Sequence, residues 1–194
     1  MFDAAHPSRS ARLRHATRAA HERVDALVGD TGLFRHRAGY LRFLRVQHRF
    51  HAVVRPLYDP SPLLRAWPAL AGGGRLEAVA ADLRDLGAAP DAVAAVPAIL
   101  PGDPAAIGWL YCAEGSLLGA AILLKRAAAL AIDEHRGARH LAAPEGGRGR
   151  RWAAVVAGLD ALDLPPEHEQ RCIAGALAAF ALFETGLSPA RNVA

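Results

Sequence analysis

"AEGSLLGAAILLK", residues 113–125, is the stretch on which the reading of this chain turns. Leu117, Leu118, Ile122, Leu123 and Leu124 have the spacing of a helix. Gly115 and Gly119 nevertheless stand one turn apart inside it, flanked by Ser116, Ala120 and Ala121. Each interior helix glycine costs roughly 1 kcal/mol relative to alanine. Glycines four apart share a helix face and let something approach the backbone closely. That something is another helix or a flat ligand. Glycines also let a helix kink, which turns carbonyls and amides toward a bound group.

The rest of the chain supports a helical reading. Its 194 residues predict one domain, 1–194, with loose termini at 1–9 and 188–194, and 52% hydrophobic residues make it globular. Alanine and leucine dominate, isoleucine and aromatics are sparse, and no segment alternates with period two, so the expected class is all-α. A first helix starts at Ser8 or Ser10 and runs to about residue 28. A second starts at Thr31 or Gly32 and fades near Pro56. Residues 59–74 read as a loop with a short turn. "RLEAVAADLRDLG" is a third helix, stopped by Gly87. "PAILPGDP" connects to a long helix, about 104–133, with Asp103 and Pro104 suited to its start. Residues 134–149 read as a loop, 150–162 as a helix, and "DLPPEHE" opens a last helix ending near Leu187.

Charge and cysteines narrow the function. The net charge is +4, and all but one of the 23 basic residues are arginine, spread along the chain. That scatter argues against a nucleic-acid face and leaves an acidic protein or an anionic ligand as partner. Two cysteines, Cys112 and Cys172, make neither a disulfide framework nor a metal cluster. The N-terminus lacks the apolar core of a signal peptide, and Glu114 and Lys125 bound the apolar run at 115–124. A cytoplasmic protein without membrane contact is expected.

The first helix holds the candidate ligand. With Leu13 as reference and about 100° per residue, Ala16, Thr17, Ala20, Val24 and Leu27 form the buried stripe. Arg14, His21 and Asp25 form a column on its border. A neutral imidazole offers one nitrogen to a metal while a carboxylate at i+4 accepts from the other and fixes the tautomer. The same spacing also suits a plain surface pair. His48 and His51 share a face, but no carboxylate or cysteine stands at ligand spacing with them.

Taken together, three segments resemble the heme oxygenase family, in particular its bacterial branch. "LRHATRAAHERVD" (13–25) looks like the proximal-helix motif, "YCAEGSLLGA" (111–120) like the distal-helix motif, and "AAFALFETGL" (178–187) like the last helix. The resemblance covers about residues 10–187. It implies an all-α bundle with heme between the first helix and a kinked glycine helix. His21 would be the axial iron ligand, Asp25 the carboxylate beside it, and Arg14 a propionate partner, with Thr17 on the same cofactor-binding helix. Gly115, Ser116, Gly119 and Ala120 would form the catalytic distal face. Arg150 and Arg151 are candidate propionate partners from a later helix. Two departures stand out: many members have glycine where Ala120 stands, and many have aspartate where Ser116 stands.

The implied reaction is oxidation of heme to biliverdin with release of carbon monoxide and ferrous iron. It uses O2 and an electron donor such as a ferredoxin or a reductase. Heme is then both substrate and cofactor. The product would supply a bilin-accepting phytochrome or mark iron release. The alternatives are a non-enzymatic heme or bilin carrier or sensor on the same fold, and a cofactor-free partner-binding helical module.

Overall fold

The structure, a computed structural model, describes residues 7–90 and 99–188. Most of the expected loose termini, and residues 97–98 of the expected connector, lie outside that range. Within it the chain is helical: α1 (Arg9–Asp30), α2 (Arg37–Val54), α3 (Pro62–Ala66), α4 (Leu76–Asp85), α5 (Ala105–Ala128), α6 (Arg148–Ala161) and α7 (Pro166–Leu187), with short 3-10 turns at Arg55–Tyr58, Pro68–Leu70 and Arg139–Leu141.

Local chemistry sets most boundaries. The Ser8 hydroxyl accepts from the Ala11 amide at 3.3 Å and starts α1. Ser8 and Arg9 therefore belong to the helix rather than to a loose end. Arg9 is 7% exposed and donates to the Leu159 and Leu162 carbonyls and to Glu169. α2 begins later than the sequence suggests. Gly32 takes a left-handed φ of 71°, which ends any helix there, and His36 Nδ1 then accepts from the Gly39 amide at 2.9 Å. The Asp103 carboxylate accepts from the Ala105 amide at 2.8 Å just ahead of α5, whose N-cap position falls on Pro104, one residue later than expected. α5 stops at Ala128 instead of continuing to 133. Its chain turns through Ala131 (φ 57°), and Asp133 gathers the amides of His135 and Arg136 at 2.8 and 2.9 Å.

Two apolar clusters make the core. One joins α1, α2, α5, α6 and α7 through Leu13, Phe50, Leu57, Trp67, Leu110 and Leu159. The other joins α2, α4 and the second half of α5 through Tyr40, Phe43, Leu83, Ala120 and Ala127. Phe183 on α7 packs against both. By length and composition α5 could cross a membrane, yet half of its most apolar window is buried inside the protein. It is the core helix of the bundle.

α7 is the axle. α1 lies along it in the same direction, since Arg9 pairs with Glu169 at 2.7 Å and Arg23 with Glu184 at 2.9 Å. α5 meets it backbone to backbone. A methyl on Gly108 would overlap the Cys172 carbonyl, and one on Gly175 would overlap the Ala105 carbonyl. One turn on, the Cys112 thiol donates to the Ala176 carbonyl at 3.5 Å. The close-packing glycines of α5 and α7 are thus Gly108 and Gly175. Gly175→Ala is expected to lose at least about 2 kcal/mol of stability through this overlap, read as a lowered urea midpoint.

Candidate functional site

The face of α5 that presents Gly108 and Cys112 to α7 continues, at spacings of three and four, through Gly115, Gly119, Ile122 and Arg126. Beyond the crossing, among the described residues, only Trp152 of α6 comes against its glycines. A methyl on Gly119 would meet nothing within 4 Å, and Leu118 and Ile122 are 46% and 62% exposed. A methyl on Gly115 would touch only the Trp152 ring, at 3.4 Å. α5 and α7 therefore part after residue 112. The second glycine pair of the chain borders open space, so helix packing does not explain it. α5 is continuous helix through both positions.

Across this space stands the exposed edge of α1. His21 is 62% exposed, and its Nδ1 lies 3.0 Å from a carboxylate oxygen of Asp25. With Nδ1–H donated to Asp25, the Nε2 lone pair is the one offered outward. The His21 ring packs edge-on against Phe180 of α7, centroids 5.8 Å apart, which limits its swing. Arg14 is exposed, two turns before His21. Burial pushes the Tyr111 phenol up to about 12, with Cys112 adding to the rise and the positive charge of Arg14 opposing it. Tyr111 also packs on Trp152, centroids 5.5 Å apart.

Of the expected residues, Arg14, His21, Asp25, Gly115, Ser116 and Gly119 lie on exposed or half-exposed sides of α1 and α5. Thr17 and Ala120 do not. Thr17 is 3% exposed and its hydroxyl donates to the Leu13 carbonyl at 2.8 Å, inside its own helix. Ala120 is 2% exposed, and its methyl fills the second apolar cluster. Thr17 lies on the buried stripe that helical spacing assigns it, and its place in the cofactor site comes from the resemblance alone; Ala120 likewise faces inward. Ser116 is exposed, and its hydroxyl donates to the Ala113 carbonyl at 2.8 Å, so only its lone pairs face outward. Arg151 is committed elsewhere: it holds buried Glu114 at 2.7 and 2.9 Å, and the Tyr58 hydroxyl donates to the same carboxylate at 2.8 Å. Arg150 is exposed one residue earlier.

Sequence reasoning missed Phe180, Tyr111 and Trp152. Tyr111 stands one turn before Gly115, and that spacing was the available signal. Phe180 and Trp152 become part of the site only through the packing of α7 and α6.

Behind α5 lies a buried polar cluster. His140 Nδ1 lies 2.7 Å from an Asp82 oxygen, and Asp82 also accepts the Arg139 and His140 amides at 2.8 and 3.0 Å. Arg75 donates to the His140 carbonyl. His51 Nδ1 and His140 Nε2 are buried with no hydrogen-bond partner, which makes them partners for water. Burial, with His140, Arg75 and His48 adding to it, lowers His51 to about 3. No cluster of metal-type side chains occurs among the described residues. A single outward-facing imidazole such as that of His21 has the chemistry to ligate an iron porphyrin.

Comparison with known proteins agrees. The model of the family "Heme oxygenase" matches residues 8–188. The chain is 43% identical over 176 residues to heme oxygenase PigA of Pseudomonas aeruginosa, covering 90% of this chain and 89% of that one. The structure of NO- and CO-bound heme oxygenase from Neisseria meningitidis superposes with a TM-score of 0.88 at 42% identity, covering 94% of this chain and 91% of that one. The heme oxygenase of Leptospira interrogans shares the fold, with a TM-score of 0.78 at 20% identity over 94% of this chain and 99% of that one. The chain belongs to the heme oxygenase family. It is accordingly an enzyme of all-α fold for which heme is substrate and cofactor, and the carrier alternative is not favoured.

Two outcomes are expected here. Gly119→Ala relieves an exposed helix glycine, so stability should rise by up to roughly 1 kcal/mol while hemin affinity or turnover falls. Thermal melts and hemin titrations read the two effects. His51, neutral when folded, stays so far below the unfolded value of about 6.5. Between about pH 6.5 and 3 the unfolded chain takes up a proton the folded one refuses, so this contribution is complete above pH 6.5 and is lost as pH falls. Unfolding free energy at pH 5.5 should be about 1.4 kcal/mol below that at pH 7.5 from this residue, and His51→Gln should flatten the difference.

Proposed function

We propose that the slot between α1 and α5 is where this heme oxygenase converts heme to biliverdin, carbon monoxide and ferrous iron, using O2 and external electrons. The observation that carries this is the pairing of His21, with Nδ1 tied to Asp25, and an α5 face whose Gly119 meets no protein atom. Heme supplies the redox iron and is itself the ring that is opened.

The side chains of this protein place and polarise. His21 would hold the heme iron through Nε2, with Asp25 keeping the proton on Nδ1 so that the imidazole stays neutral. Phe180 fixes the ring plane of His21. Gly115 and Gly119 leave the α5 backbone free of side chains on this side, so a bound heme would meet backbone there and shape would govern access to it. Ser116 accepts but does not donate toward the slot, since its hydrogen is held by the Ala113 carbonyl, and it orients water by its lone pairs. No large acid reaches the distal face from these positions, so protons are delivered by water. Arg14 and Tyr111 meet an acid group of the substrate at one end. An electron-donor protein such as a ferredoxin or a reductase works from outside, and the enzyme is cytoplasmic.

His21→Ala is expected to lose the axial ligand and, with it, biliverdin formation, with partial rescue by added imidazole. Asp25→Ala should lower hemin affinity or turnover by up to roughly tenfold. Heme-loaded protein given ascorbate in air should lose its Soret band and gain biliverdin absorption. Full biliverdin formation by His21→Ala without imidazole overturns the reading, and an unchanged Soret band in the parent favours a carrier.

A further inference from the structure

At Gly115 and Gly119 α5 has no side chain of its own to interlock with a neighbour. The roll and height of the helix at this level have to be set from its flanks. Glu114, about 100° round the helix from Gly115, sits in a socket that does so. It is 3% exposed, and Arg151 grips it through Nε and Nη2 at 2.7 and 2.9 Å. The Tyr58 hydroxyl donates to the same carboxylate at 2.8 Å, and Arg151 also donates to the Ala71 carbonyl at 3.3 Å. Gly73 closes the socket so tightly that a methyl there would overlap Tyr58, Glu114 and Arg151. The next residue of α6, Trp152, lies against the next residue of α5, Gly115, and against Tyr111 one turn earlier.

The other end of α6 holds α1. Arg9 donates to the Leu159 and Leu162 carbonyls at 2.7 and 2.9 Å, and Asp160 accepts from the amide and the hydroxyl of Ser10, both at 2.7 Å. One helix of 14 residues, about 20 Å long, thus grips the glycine helix near its start and the histidine helix at its end. Stability alone does not account for a largely buried ion pair at this place. Both charges lose their water, and an apolar pair of the same size is often as stable or more so. What the pair adds is a single bidentate geometry.

We propose that Glu114, Arg151 and Tyr58 are positioning residues for heme cleavage: through α6 they hold the Gly115 backbone at one height and roll relative to α1, and turnover depends on that placement. This rests on the heme-cleaving reading above. All three act through the α5 backbone rather than on the substrate.

The test compares the parent with E114M/R151M, which replaces both charges by apolar side chains, and with R151K and Y58F, which loosen the socket while leaving Glu114 beside a cation. The measurements are the urea midpoint, amide hydrogen exchange along α5 in the hemin-free protein, and hemin affinity set against turnover. E114M/R151M should keep the parent's urea midpoint and hemin affinity. Its amides at 115–120 should exchange faster, and its turnover should fall by roughly tenfold or more, the scale of a misplaced reacting group. R151K and Y58F should shift exchange and turnover in the same direction by less. Parent turnover in a stable E114M/R151M overturns the inference. Should that variant lose stability, R151K and Y58F decide: turnover lost at unchanged urea midpoint and hemin affinity supports the inference, and any other result overturns it. A parent that does not cleave heme overturns the heme-cleaving reading and this inference with it, whereas a cleaving parent matched by its variants overturns this inference alone.

Discussion

Backbone contact between α5 and α7 at Gly108 and Gly175 governs the rest of the molecule. Because neither residue carries a side chain, the two backbones come together there, from Ala105 to Cys112 on α5 and Cys172 to Ala176 on α7. α7 then follows α1, held by Arg9–Glu169 and Arg23–Glu184. Past this contact the Gly119 side of α5 is open, and Phe180 of α7 packs on His21 of α1. Where the exposed His21 side of α1 and the open glycine side of α5 lie is decided by how both helices pack on α7, since nothing local to either helix sets it.

Buried polar groups hold this arrangement in place from behind. Glu114, next to Gly115, is 3% exposed and is bound by Arg151 and Tyr58. A methyl on Gly73 would collide with all three side chains, so that loop is built around them. Such a pair is weak evidence for stability in itself, because both charges lose water, but breaking it leaves a buried charge unpaired. Its effect is to fix the roll of α5 about its axis, and with it the direction in which Gly115 and Gly119 face. Asp82 does similar work on the other side. It binds the 139–141 turn to α4 through two amides and the His140 ring, closing the core behind the distal helix.

Much of this was legible in the sequence. The all-α class, the border column of Arg14, His21 and Asp25, and the anomaly of two helix glycines all follow from periodicity, which depends only on spacing along one helix. The capping role of Ser8, and that of Asp103 to within one residue, were legible for the same reason. The errors were of two kinds. Boundaries moved where a left-handed residue, Gly32 or Ala131, ended a helix that composition favoured continuing. Thr17 and Ala120 entered the expected site through the resemblance to family motifs, while their side chains point into the core, as helical spacing from Leu13 already places Thr17.

What the sequence determined by itself is a set of faces: an imidazole with its carboxylate on one helix, a side-chain-free stripe on another, and motifs that name the family. Only the tertiary structure decided which of the glycines of α5 pack and which stay open. Gly108, Gly115 and Gly119 lie on one stripe, and helical periodicity treats them alike. They differ because α7 crosses that stripe once, at a place set by Gly175 some 67 residues away in the chain. A contact of that separation is fixed by packing the whole bundle, and no local pattern carries it.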